Sequence, residues 1–220
     1  VMDYLRKFKN HQPQDAATTH CKAALELLQS FREDGAEADI FLVNFRNNPG
    51  EAQTFLKKFD NDGEEASSFL SSFENDVERT NNLLHKFNDK RENVTGYLRK
   101  FPSVGEGETF LQKFADGNEA NDFLQKFSGD GSEANGYLRK FKSVTEANEF
   151  LDKFDGHWDE ASEYLKRFKD ANKANEFLKN FDESGRQANG FVREFNGSPD
   201  CASRFIQSFN SPKEALDHFE

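Results

Sequence analysis

The chain has 220 residues, 31% charged and 35% apolar, and its 40 acidic side chains outnumber 29 basic ones for a net charge of −11. A mean hydropathy of −0.90 would suit a disordered chain, yet 25 Phe, 4 Tyr and 1 Trp are far more rings than such a chain carries. No apolar run approaches the ~18 residues of a membrane-spanning helix, and the acidic balance disfavours general binding to nucleic acid or anionic lipid, whose phosphates repel it.

Tyr4-Leu5-Arg6-Lys7-Phe8 opens a motif, aromatic-Leu-x-x-Phe, that recurs along the whole chain. A 23-residue interval containing His11-Gln12-Pro13-Gln14-Asp15 follows it, so residues 1–20 form an atypical first unit with a longer connection. From residue 21 to 220 the repeat is regular: the aromatic, or Leu in its place, falls at 27, 41, 55, 69, 83, 97, 110, 123, 137, 150, 164, 177, 191, 205 and 219. All fourteen of these intervals are 13 or 14 residues, and with the first motif they make sixteen units. Units from 97 to 137 nearly repeat as a block of three, a pattern that fits growth by duplication.

Three residues before most of these aromatics stands a small side chain, among them Ala24, Ala38, Ala52, Ala66, Ala120, Ala147 and Ala202. Ala at i, an aromatic at i+3, Leu at i+4 and Phe at i+7 lie on one face of an α-helix and do not fit strand alternation. Phe55, Leu56 and Phe59, Phe123, Leu124 and Phe127, and Phe150, Leu151 and Phe154 are the clearest core triplets. Strings such as Asp60-Asn61-Asp62-Gly63 and Asn48-Pro49-Gly50 stop each helix, with Gly expected in the left-handed C-cap conformation. Ser211-Pro212-Lys213-Glu214 reads as N-cap, Pro at the first helical position and a capping-box Glu. Each unit is then a helix of about 9 to 11 residues, roughly 15 Å long. Such helices are unstable alone in water, and short turns make consecutive ones antiparallel neighbours. The expectation is an all-α fold: an α-solenoid of about sixteen short antiparallel helices, one helical-repeat domain over 1–220.

Charge follows the repeat. Glu51, Glu65, Glu119, Glu133, Glu146 and Glu160 stand at helix starts. Lys58, Lys86, Lys100, Lys113, Lys126, Lys140, Lys153 and Arg167 precede the closing Phe. The helix dipole favours this order; a stacked Lys row gripping a polyanion is the sharper alternative, against which the net charge weighs.

Candidate chemistry is sparse. His11, His20, His85, His157 and His218 share no metal spacing with one another or with the cysteines. The Asp60–Gly63 string puts Gly out of place for a calcium loop. Cys21 and Cys201, at the starts of the first regular and last complete units, form a disulfide only if the array curls enough to bring them within about 6 Å. The sequons Asn93-Val94-Thr95 and Asn196-Gly197-Ser198 are no more frequent than chance. Trp158, beside His157 in a turn and off the apolar phase, is either a partner contact or a lid on the end of the Phe core. Nucleophile motifs and phosphate-cradling Gly loops are missing.

These features predict a non-catalytic structural or protein-interaction array without a cofactor. Its partner is a protein or a second copy of itself, joined end to end through the incomplete units at Val1 and Phe219. The alternative is a carrier holding an apolar small molecule in a Phe-lined groove or cavity. Reversible binding to a lipid surface ranks below both, because the helices are short and acidic. The start Val1-Met2 favours a processed, secreted product.

Overall fold

A computed structural model describes residues 22, 24–168 and 170–218. Helical residues 24–30 are followed by α1 (Gly35–Asn44), α2 (Pro49–Lys57), α3 (Gly63–Ser71), α4 (Val77–Lys86), α5 (Arg91–Leu98), α6 (Val104–Leu111) and α7 (Gly117–Gln125). Then come α8 (Gly131–Leu138), α9 (Val144–Asp152), α10 (Trp158–Phe168), α11 (Ala171–Leu178), a 3₁₀ turn at Lys179–Phe181, α12 (Gly185–Glu194), α13 (Pro199–Gln207) and α14 (Pro212–Asp217). Among the described residues there is no strand, and the chain is an all-helical repeat. The atypical first unit lies outside the described residues. Two compact units divide the chain, Val1–Arg99 and Lys100–Glu220.

Each helix starts at a side chain four residues before the small residue at i. Asp34, Asn48, Asp62 and Asp76 in the first unit accept first-turn amide hydrogens. Ser103, Asp116, Asp130, Ser143, Asp170, Ser184, Ser198 and Ser211 do so in the second. Each such cap is worth roughly 0.5–2 kcal/mol; Lys90, before α5, supplies none.

The two interval lengths correspond to two ways of returning the chain. Where three residues separate the closing Phe from the next helix, the first two take the left-handed conformation, as in Arg46-Asn47 and Asp60-Asn61. The second of them donates its N–H to the carbonyl five residues back, at 2.9–3.2 Å, from Glu33 to Leu28 through Gly197 to Val192. This is the Schellman closure. Where only two residues intervene, no described residue is left-handed and the N-cap becomes more extended, with φ of −145 to −149° at Ser103, Asp116, Ser143, Asp170 and Ser211. In three of these short connections the Glu at the third helical position accepts the N–H of the residue before the cap: Glu119 from Ala115 at 2.8 Å, Glu146 from Lys142 at 2.9 Å, Glu214 from Asn210 at 3.1 Å. The helix-start acids therefore bind backbone as well as complementing the dipole.

Gly63 does not have the role expected of it. It opens α3, while Asp60 and Asn61 adopt the left-handed backbone. Gly63, Gly131 and Gly185 are small because a Cβ there would lie 2.4–2.7 Å from the carbonyl of Ser30, Lys100 or Lys153 and 2.6–2.7 Å from the ring of Phe31, Phe101 or Phe154. The amides of Gly131 and Gly185, free of intrahelical partners at a helix start, donate to Lys100 at 3.0 Å and Lys153 at 2.7 Å. The first residue of a helix thus rests on the closing Phe three helices earlier, which packs one turn on another.

The residue at i is buried in every described unit, with Thr80, Val94 and Gly107 standing in for Ala. Within each compact unit the aromatics run in ring contacts, interrupted in the first where Leu83 takes the aromatic's place. Within a helix the i+3 and i+7 rings lie 4.6–5.4 Å apart, and the closing Phe meets the next helix's aromatic at 5.1–5.5 Å, as in Phe45–Phe55 and Phe141–Phe150. In the last unit His218 takes that aromatic place, 5.4 Å from Phe209. The sequence reading put it at Phe219, but the phase counted from Ala215 points to His218.

Candidate functional site

Phe55, Leu56, Phe59, Phe123, Leu124, Phe127, Phe150, Leu151 and Phe154 are all at most 2% exposed and belong to the core. Tyr137 and Tyr164 are buried with them and donate to the carbonyls of Ala147 and Ala174, at 3.1 and 3.2 Å. Burial pushes the Tyr97, Tyr137 and Tyr164 hydroxyls above the usual phenol range.

Trp158 is the first residue of α10 and half-buried, its ring centroid 5.5 Å from that of Phe127. It occupies the place that Gly131 and Gly185 keep empty, as does Arg91, whose guanidinium lies 5.8 Å from the centre of the Phe59 ring. His157 is exposed beside it. Cys201 is exposed on the first turn of α13, its amide 3.3 Å from Ser198 Oγ; Cys21 lies outside the described residues. Among the described residues no group of three or more His, Cys, Asp or Glu side chains gathers as a metal site, and no helix is long and apolar enough to cross a membrane.

Part of the Lys row reaches across to other helices, although Lys113, Lys126 and Lys140 are exposed. Lys58, Lys100, Lys126 and Lys153 donate to Asn81, Asn121, Asn148 and Asn175, two helices further on, at 2.7–3.1 Å. Lys58 also pairs with Asp89 at 2.8 Å and Lys153 with Glu183 at 3.1 Å. Burial lowers the Lys100, Lys113 and Lys140 ammonium groups below their usual range. Each bridge spans a seam between a helix and the one two places along. The rule is broken at α6/α8, where the Asn135 Oδ1 is buried without a partner, and at α10/α12, where Arg167 turns to Glu163 while its Nη1 and the Asn189 Oδ1 are buried without partners. Glu163 is held below the usual carboxyl range by its hydrogen bond from Arg193 and then by Arg167.

Two surfaces depart from the polar exterior of the repeat. On α1, Ile40 is 70% and Val43 is 56% exposed. They stand at i+2 and i+5, where every other described helix carries a polar residue or Gly. Three residues apart, they share one face. Leu25, in the preceding helix, is 53% exposed. The phase was legible, and the substitution of two aliphatics into it is the signal that sequence reasoning passed over. The second surface is the seam between α11 and α13, a cleft of about 750 Å³ floored by Phe168, Phe177 and Ile206. In the equivalent α2/α4 seam, Lys58 reaches Asn81 across a cleft of about 600 Å³. In the α11/α13 seam Asn180 and Ser203 stand in their places, and Asn180 folds back to donate to the Phe177 carbonyl at 2.9 Å. No protein-family model matches the chain, and no curated protein or solved structure matches it.

Proposed function

We propose that the protein is a non-catalytic helical-repeat array that binds another protein, or a second copy of itself, through its outer helix surfaces. The observation that carries this reading is the aliphatic pair Ile40 and Val43, mostly exposed on α1 where the other units are polar. Single exposed apolar residues are common, but two on one helix face against a strict polar phase form a contact patch. Removing such a side chain from water in a complex is worth about 1.5–3 kcal/mol. The carrier alternative has less behind it. An apolar cavity needs space between the rings, which here pack against one another at 4.6–5.5 Å, and the cleft over Phe168 and Phe177 is lined mostly by polar and charged side chains.

The test compares the wild type with Ile40→Glu/Val43→Glu in two measurements: sedimentation over a wide concentration range, and the proteins retained from an extract of the producing organism. The expected result is a partner or self-association held by the wild type and released by the variant, with helical content unchanged. Identical retained proteins and identical sedimentation for both would overturn the reading.

A further inference from the structure

We propose that the α11/α13 seam is a seat for a cationic side chain from a protein partner, a Lys or Arg flanked by an apolar residue. The repeat itself supplies the template. In four seams a Lys ammonium group ends on an Asn two helices on, and at α2/α4 that Lys lines a cleft beside Phe45 and Phe55. A Lys stem covers apolar surface while its head stays polar. At α11/α13 the Lys position is Asn180 and the Asn position is Ser203, so the aromatic floor of Phe177 and Phe168 is left without the Lys that lines the α2/α4 cleft. Ser203 is half-buried at the cleft, while Asp200 and Glu176 stand exposed along it. Arg167 and Lys173 also line it, but Arg167 is bonded to Glu163. The cleft thus offers carboxylates and an aromatic face, the surroundings that hold an ammonium or guanidinium group. The chain's net charge of −11 favours the approach of such a partner.

The Lys is also missing at α1/α3, where Asn44 and Ser67 stand in the same places, and at α3/α5, which has a cleft of its own but does not compete. Between α3 and α5, where Ser72 and Thr95 hold the equivalent positions, the cleft is about 530 Å³. Its Glu65 is already paired with Arg91 at 3.0 Å. Arg91 reaches that carboxylate from the helix across the seam, whereas at α11/α13 Glu176 pairs at 2.7 Å with Lys179 of its own unit, both side chains well exposed.

This seat rests on the interaction reading but not on α1, and it is tested apart from it. The probe is the capped peptide Phe-Leu-Lys-Lys-Phe, this chain's own residues 55–59, titrated into ¹⁵N-labelled full-length protein, with Phe-Leu-Gln-Gln-Phe as control. Amide shifts are expected to concentrate at Lys173, Glu176, Asn180, Ser203 and Gln207 and to weaken with added salt. Asn180→Lys/Ser203→Asn, which rebuilds the internal bridge, is expected to weaken binding about tenfold or more, a loss of about 1.4 kcal/mol. Ser72→Lys/Thr95→Asn and Ile40→Glu/Val43→Glu are each expected to leave it unchanged. Binding that survives Asn180→Lys/Ser203→Asn, shifts spread evenly over all seams, equal binding of the Gln control, or no shifts at millimolar peptide would each overturn the proposal. None of these outcomes touches the α1 face.

Discussion

The two units return the chain by different means. In Val1–Arg99 all five described connections, from Arg32-Glu33 to Asn88-Asp89, use two consecutive left-handed residues, and none of the ten is glycine. In Lys100–Glu220 five of the nine connections are the short form, with no left-handed residue among those described, and Gly129, Gly156 and Gly197 serve in three of the remaining four. Yet the small residue at i is buried in both, and the rings touch at the same spacing. One residue more or less is absorbed by the backbone angles of the cap, and the helix phase is left untouched. Length tolerance in this repeat resides in the connection.

The sharpest way to break that comparison is to delete one residue on either side of a helix boundary. Removing Asn47 and changing Asn48 to Ser would convert a long connection into the form seen at Asn210-Ser211-Pro212, with Glu51 placed like Glu214. The expected cost is about 1–2 kcal/mol, read by thermal denaturation. Removing Gln53 from α2 instead turns the later side chains by about 100° and takes Phe55, Leu56 and Phe59 off the core phase. At about 1.5–3 kcal/mol for each large apolar side chain exposed, that rivals the whole stability of a small domain, about 5–15 kcal/mol. The first unit is expected to lose its cooperative transition. Equal melting of the two deletions would show that the phase is not what the core requires.

The period, the buried triplets and the start of the last helix were legible because they are local: spacing alone places Ala147, Phe150, Leu151 and Phe154 on one face. What was not legible depends on which helices become neighbours. Gly63 reads as a helix stop until Phe31 is found against it. Lys58 reads as a dipole partner until Asn81 is found across the seam. Trp158, which sequence left between two roles, lies against Phe127, 31 positions earlier. Each of these partners lies two or three units away. The Ile40 and Val43 departure, by contrast, was visible in the aligned repeat without any structure.

Close approach gives the next largest effect. Gly131→Ala would place a Cβ 2.4 Å from the Lys100 carbonyl oxygen and 2.6 Å from the Phe101 ring. Backbone on one side leaves little room to yield, so a loss of about 1–3 kcal/mol is expected. Gly136→Ala, five residues later with nothing within 4 Å, is expected to gain about 0.5–1 kcal/mol from helix propensity. Gly63→Ala and Gly96→Ala should reproduce the same contrast in the first unit. Urea midpoints measure all four, and a stabilising Gly131→Ala would refute the turn-on-turn contact.

Alkaline pH separates the units by their tyrosines. Tyr97 belongs to the first, Tyr137 and Tyr164 to the second, and burial raises all three hydroxyls above their ordinary value of 10.0. Because the folded value is the higher one, the stability these groups contribute is complete below pH 10 and is lost as pH rises beyond it. Each costs up to about 1.4 kcal/mol per pH unit. Melting temperature should therefore hold to about pH 9.5 and fall steeply above pH 10. Tyr137→Phe/Tyr164→Phe, which gives up two hydrogen bonds of about 1 kcal/mol each, should flatten that fall by more than Tyr97→Phe. An unchanged slope would place the alkaline sensitivity in the lysines instead.

The smallest effect returns to the connections. A left-handed backbone costs a residue with a Cβ about 1–2 kcal/mol, less for Asn and Asp, whose short side chains tolerate it. Glu33 (φ 68°) and Arg46 (φ 52°) have no such allowance, whereas Gly129, Gly156 and Gly197 already carry the glycine that the second unit needs. Glu33→Gly and Arg46→Gly are each expected to stabilise the first unit by about 0.5–1 kcal/mol, part of the relief being offset by the greater freedom of glycine in the unfolded chain. Asn61→Gly, starting from a tolerant residue, should gain less. Denaturant titrations of the three single variants give the order directly. If Asn61→Gly gained as much as Glu33→Gly, side-chain identity would not set the cost of these turns, and glycine at 129, 156 and 197 would need a reason other than backbone strain.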